Sequence, residues 1–218
     1  MQKIETVNDL TDLEKVKDRI FMDCIPADDA RITGEHAVSL TVGDIAIVYR
    51  ILIGQNNSMV QTALISEGLL EGYGISKDEL HLIALDSAPK LFPYFYTPIA
   101  SLTDVPVDER VSDDIFVLTT KSMVYGASAM FYPGVLESIA EETGGNLYVI
   151  PSSRNECIIC VDREGVNPKT LHSSLIQING NTDLVPEDLY LSDSLYYYSK
   201  DKSILSMLPE EAASGCLS

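Results

Sequence analysis

The chain has no tryptophan, only three histidines and four cysteines in 218 residues, and 15 lysines and arginines set against 33 acidic residues. Each shortage closes a class of protein. At a formal net charge of -18 a phosphate backbone is repelled from most of the surface, so neither nucleic acid nor an anionic membrane is an expected partner. The densest basic cluster, Lys15, Lys17 and Arg19, is interleaved with Glu14 and Asp18 and builds no basic patch. Cys24, Cys157, Cys160 and Cys216 are too few and too irregular for a disulfide framework and read as free thiols. His36, His81 and His172 are scattered without ligand spacing, so no metal or other cofactor is expected. The longest apolar run, residues 45–53, is interrupted by Arg50 and is too short to cross a bilayer; charged residues close behind Met1 leave no room for an apolar leader. The expectation is a soluble, cytoplasmic protein.

What is present is a chain with 45% hydrophobic residues, enough to bury a core. Residues 11–24 open on Thr11-Asp12-Leu13-Glu14, a capping box, and place Leu13, Val16, Ile20 and Cys24 at spacings of three and four, which predicts an amphipathic helix. Residues 44–53 and 59–65 are β-rich runs around the turn-prone 54–58, an antiparallel hairpin. A short helix over 66–73 stops at Gly74, and a second begins at Ser76 with Glu79 completing its box and is closed by Pro89. Residues 90–110, rich in proline, read as an irregular connection and the best internal boundary. Beyond it come a strand over 115–120, a small-residue bend at 126–130, a helix over 133–143 ended by Gly144-Gly145, and strands over 146–150 and 156–161 joined by a hairpin loop. Asn167-Pro168 caps another helix, and 194–199 with 203–208 form a closing hairpin.

These elements define an α/β fold of the α+β type, a mixed and largely antiparallel sheet built from hairpins with four to five packed helices. Residues 1–110 form a helix/hairpin/helix portion, residues 111–208 a strand-helix-hairpin portion of the same compact domain, and residues 209–218 a flexible acidic tail.

The motifs give few handles for chemistry. Cys157-Ile158-Ile159-Cys160 has the spacing of a thiol or zinc motif, but residues three apart on a strand point to opposite faces, so the sulfurs do not converge. Gly126-Ala127-Ser128-Ala129 resembles a nucleophile elbow, yet Ala129 replaces the usual last glycine and Ser128 lies well past the strand end. Ser87-Ala88-Pro89-Lys90 fails because proline breaks the turn that would return the lysine. Asp113-Asp114, Glu141-Glu142 and Glu210-Glu211 are adjacent carboxylates, which diverge on any regular element. Tyr94, Tyr96 and Tyr196 to Tyr198 are groove-lining or half-buried strand positions. Ser152, Ser153, Arg154 and Glu156 gather hydroxyls, a guanidinium and a carboxylate on one loop at the end of a buried hairpin; the plainer reading is turn chemistry with one surface ion pair.

Several separated blocks then carry a resemblance: Asp44 to Arg50, Leu69-Leu70-Glu71 through Gly74-Ile75-Ser76 and Glu79-Leu80, Leu91-Phe92-Pro93, Gly126-Ala127 with Tyr132-Pro133-Gly134-Val135-Leu136, and Leu147 to Ser153 with Glu156. Together they resemble an uncharacterised bacterial family, domain-of-unknown-function family 5688, over roughly residues 11–198. The resemblance implies no activity, cofactor or catalytic residue. It implies a version short at its N-terminus, and it sets Asn155 where a histidine is common in the family, so family chemistry using that histidine would be missing here.

The reading that follows is a non-enzymatic protein-interaction or regulatory module whose binding site joins Gly126 and Ser128 of the bend to Ser152, Ser153, Arg154 and Glu156 of the loop. Its partner is an unidentified protein, with a basic one the sharper reading of the acidity. Two rivals are a hydrolase using Ser128 or Ser152 as nucleophile beside one of the histidines, and an acidic nucleic-acid mimic binding a basic protein.

Overall fold

The computed structural model describes residues 7–55, 59–101 and 114–209. Pro106, Asp113, Glu210-Glu211, Cys216 and the acidic tail therefore lie outside the described residues. In chain order the elements are α1 (Val7–Leu10), α2 (Leu13–Val16), β1 (Ile20–Pro26), α3 (Ala30–Gly34), β2 (Ser39–Val42), β3 (Ile45–Gln55), β4 (Val60–Leu64), α4 (Glu67–Tyr73), α5 (Lys77–Leu91) and β5 (Tyr94–Pro98). They continue with β6 (Ile115–Thr120), α6 (Val135–Thr143), β7 (Leu147–Ile150), β8 (Glu156–Val161), α7 (Pro168–Asn179), β9 (Tyr196–Ser199) and β10 (Ile204–Met207). Every strand pairing is antiparallel, and the strands form two sheets: β3 pairs β1 on one side and β2 and β4 on the other, while the second sheet runs β10-β9-β7-β8-β6-β5. The protein is α+β, as its patterning implies.

The predicted helix over residues 11–24 is wrong beyond its first turn. Asp12, not Thr11, caps α2 by accepting the Glu14 N–H; a 3₁₀ turn (Lys17–Arg19) follows, and Ile20 opens β1. Ile20, Phe21, Met22, Cys24 and Ile25 are all fully buried. Burying each is worth about 1.5–3 kcal/mol, and a helix would bury only one face, a loss that helix propensities of under about 1 kcal/mol per residue do not offset. A strand buried on both faces has no alternation, so its apolar run passed for helical spacing.

Two smaller corrections concern proline. Pro89 does not close α5; it sits in the last turn, and the helix ends when the Phe92 N–H donates to the Ala88 carbonyl. Residues 94–98 are not irregular but form edge strand β5, where Pro98 stands at the last position and its missing N–H costs no ladder bond. The helix begun at Pro133 starts two residues later, after Gly134. Ser66, Gly74, the Ser76/Glu79 box and Asn167 all cap as the spacing requires.

The main core lies between the sheets, where Tyr49 and Ile51, Leu80 and Ala84 of α5, Ile139 of α6, and Val149, Cys157 and Tyr196 share one cluster. The outer face of the second sheet, with Tyr148, Ile150 and Cys160, is covered by Leu175 of α7; that of the first, with Ile25, Ala46 and Val48, packs against Ile32 of α3.

Candidate functional site

The loop after β7 and the bend after β6 come together, and Asn155 fastens them. Its side-chain oxygen accepts the Tyr125 N–H at 3.2 Å, its carbonyl accepts the Thr119 hydroxyl at 2.6 Å, and the neighbouring Arg154 carbonyl accepts the Ala127 N–H at 3.2 Å. Gly126 is obligatory there, because a Cβ would overlap the Asn155 carbonyl and the Thr119 hydroxyl. Met123 and Tyr125 approach this contact in the left-handed region, at φ 58° and 57°, a conformation costing non-glycine residues about 1–2 kcal/mol each. The bend itself is a 3₁₀ helix (Gly126–Phe131).

The serines face inward. Ser128 is fully buried and donates its hydroxyl to the Tyr125 carbonyl at 2.7 Å. Ser152 and Ser153 are buried; the Ser153 hydroxyl accepts the Asn155 N–H at 3.0 Å. Their backbone pairs with the stretch around a 3₁₀ turn (Glu187–Leu189): the Arg154 N–H donates to the Leu189 carbonyl at 2.8 Å and the Leu191 N–H to the Ser152 carbonyl at 3.3 Å. Glu156 opens β8 opposite Thr119.

Arg154 leaves the loop altogether. Its Nη2 donates to Oδ2 of Asp23 at 2.6 Å, its Nε to the Cys24 carbonyl at 3.2 Å and its Nη1 to the Asp188 carbonyl at 3.1 Å. Its ion pair is therefore not a surface pair with a loop neighbour but a link to a residue 131 positions away on the other sheet. Asp23 is 0% exposed, and the same Oδ2 accepts Nε of Arg50 at 2.8 Å; Oδ1 has no hydrogen-bond partner. Such a carboxylate persists in a core only because two guanidinium groups compensate it, and removing one partner of a buried pair costs about 3–5 kcal/mol. Beside it Asp29 receives Arg31 in a two-pronged contact at 2.8 and 2.5 Å; the hydrogen bond from Arg31 holds the Asp29 carboxyl below its ordinary range and raises the guanidinium.

A second carboxylate joins the sheets with neutral donors. Asp44, at the β2–β3 turn, accepts the hydroxyls of Ser192 at 2.9 Å, Ser194 at 2.8 Å and Tyr196 at 2.7 Å. Burial first, and Asp44 second, push the Tyr196 phenol far up. Gly43, at φ +62°, makes the turn that brings this carboxylate to Tyr196.

Two of the three histidines are engaged elsewhere. His81 Nδ1 lies 3.0 Å from the Tyr49 hydroxyl, and His172 Nε2 lies 3.0 Å from the Asp193 carbonyl; among the described residues no histidine hydrogen-bonds Ser128 or Ser152. Cys157 and Cys160 do point to opposite faces, one into the main core and one toward α7. Burial raises both thiols, Cys160 to about 11. Among the described residues no group of three or more His, Cys, Asp or Glu side chains is placed to hold a metal ion. A cleft of about 470 Å³ lies between Cys160, Arg163 and Leu171, and a cavity of about 210 Å³ between Tyr132, Glu137, Tyr198 and Leu205.

Asp23 and Asp44 escaped the sequence reading, although Asp23 left a trace. It interrupts the apolar run of β1 as Arg50 interrupts that of β3, and two opposite charges in adjacent buried strands have each other as the obvious partner.

The architecture defines the class: an α+β protein of two antiparallel sheets bolted together by carboxylates. The chain belongs to the family of unknown function DUF5688, whose model matches residues 1–200. No curated protein and no solved structure matches it.

Proposed function

We propose that the protein is a non-enzymatic protein-interaction or regulatory module of the bacterial cytoplasm. The observation that carries this reading is the employment of the bend and loop: Gly126, Ser128, Ser153 and Arg154 are spent on holding the fold, Arg154 on a buried carboxylate of the opposite sheet. A nucleophile needs a free hydroxyl beside a base, and the Ser128 hydroxyl is committed to a carbonyl. Two apolar side chains are left unburied near the bend and the closing hairpin: Met123 next to the bend is 56% exposed, and Ile204 on β10 is 55% exposed.

The test pairs two readouts on the intact chain. Affinity capture from bacterial lysate is expected to retain one protein in stoichiometric amount, and to lose it when Met123 and Ile204 are replaced by glutamate. Turnover of p-nitrophenyl esters is expected to match that of Ser128→Ala. Ester hydrolysis abolished by Ser128→Ala, in a variant that keeps its circular dichroism spectrum, would overturn the reading in favour of a hydrolase.

A further inference from the structure

We infer that the open edge of β10 receives an extended segment of a partner protein as a seventh strand, with a lysine or arginine of that segment seated against Glu137. The inference rests on the interaction reading above and gives it a surface and a chemistry.

The edge follows from the register. The Leu208 N–H bonds the Leu195 carbonyl, and β10 pairs β9 with Ile204 opposite Ser199 and Ser206 opposite Tyr197. Alternation along an antiparallel ladder then turns the backbone groups of Ile204 and Ser206 toward β9 and those of Leu205 and Met207 outward. β10 is terminal in its sheet, and its four residues include no charge, no proline and no bulge, three of the devices by which edges are blunted; its shortness confines an added strand to the outward groups of Leu205 and Met207. At the far edge of the same sheet β5 ends in Pro98.

Specificity follows from what lies beside that edge. The cavity of about 210 Å³ is walled by Tyr198 and Leu205 of the hairpin and by Met130, Tyr132 and Leu136 from the bend and α6. Leu205 and Tyr198 face each other across the ladder, so the cavity opens on the inner face of β10. A strand added to an edge gains affinity from main-chain hydrogen bonds and specificity from pockets that take alternate side chains. Among the described residues Glu137 is the only charged side chain lining this pocket, and the chain carries a formal -18, so a cation on an inward position fits and a carboxylate does not. The same charge disfavours a second copy of the chain on this edge.

Two end-blocked, fluorescein-labelled peptides provide the test: TVTKTVT, which alternates and centres a lysine, and TVTETVT, which centres a glutamate. By anisotropy the wild-type chain is expected to bind the lysine peptide about ten-fold tighter than the glutamate peptide. Glu137→Lys, an exposed substitution, is expected to reverse the order. Met207→Pro, which removes an outward N–H and leaves the inward ladder, is expected to abolish binding of both. Equal binding of the two peptides, or none of either, overturns the inference, and so does a wild-type chain that sediments as a dimer while Met207→Pro sediments as a monomer. If the peptides fail while a stoichiometric partner is still captured from lysate, the interaction reading stands and only its surface is refuted.

Discussion

Strands β1 and β10 are both edges, and the chain treats them in opposite ways. Two outward carbonyls of β1 are met by other parts of the fold: that of Ile20 accepts the Ser87 hydroxyl of α5, and that of Cys24 accepts Arg154 from the opposite sheet. Its residues from Ile20 to Ile25 are buried, including the Asp23 carboxylate. β10 has exposed residues at three of its four positions, and what reaches it from a distant segment is the β2–β3 turn, where Gly43 lies against the Met207 side chain. The contrast teaches that closing an edge here takes a polar group delivered from a distant segment, as Ser87 and Arg154 are delivered to β1.

That comparison breaks first at Arg154. Replacing it by alanine leaves Asp23 buried with one guanidinium instead of two and uncaps Cys24, and is expected to cost about 3 kcal/mol in urea unfolding. Full recovery by a further Asp23→Asn change would identify the uncompensated charge as the cause. Ser87→Ala removes the second cap and is expected to cost about 1 kcal/mol by the same measurement.

Acid provides a finer probe, because charges gather near β1 and none lies on β10. The Asp29 carboxyl is held below its ordinary range by Arg31, so the stability it contributes is present above its unfolded value of about 4 and is lost as pH falls through the lower folded value. Urea midpoints taken from pH 5 down to pH 2 are expected to fall less steeply for Asp29→Asn than for wild type. The smallest effect belongs to β10 itself: Ile204→Lys is expected to change stability by less than about 0.5 kcal/mol, since that side chain is 55% exposed.

Local chemistry was legible in the sequence wherever it was self-contained. The Ser76/Glu79 box, the Gly74 stop, the Asn167 cap and the β7–β8 hairpin rest on residues within a few positions of one another, and each stands where spacing puts it. The failures share a physical cause. β1 passed for a helix because a strand buried on both faces shows no period, and β5 was hidden by prolines that an edge strand tolerates at its ends. Cys157 and Cys160 were separable from sequence because strand geometry alone decides their directions. The loop was found, but its purpose was not: Arg154 takes its meaning from Asp23, and no local pattern connects positions 131 residues apart.

Native-state amide hydrogen exchange tests the edge comparison most directly. In the free protein the outward amides of Leu205 and Met207 are expected to exchange at close to the rate of an unstructured chain, while those of Phe21, Asp23 and Ile25, paired with β3, are expected to exchange only through global opening. Adding TVTKTVT is expected to slow Leu205 and Met207 and to leave β1 unchanged. Outward amides already protected in the free chain, or unaffected by saturating peptide, would contradict the claim that one edge of this fold is closed from within and the other is left for a partner.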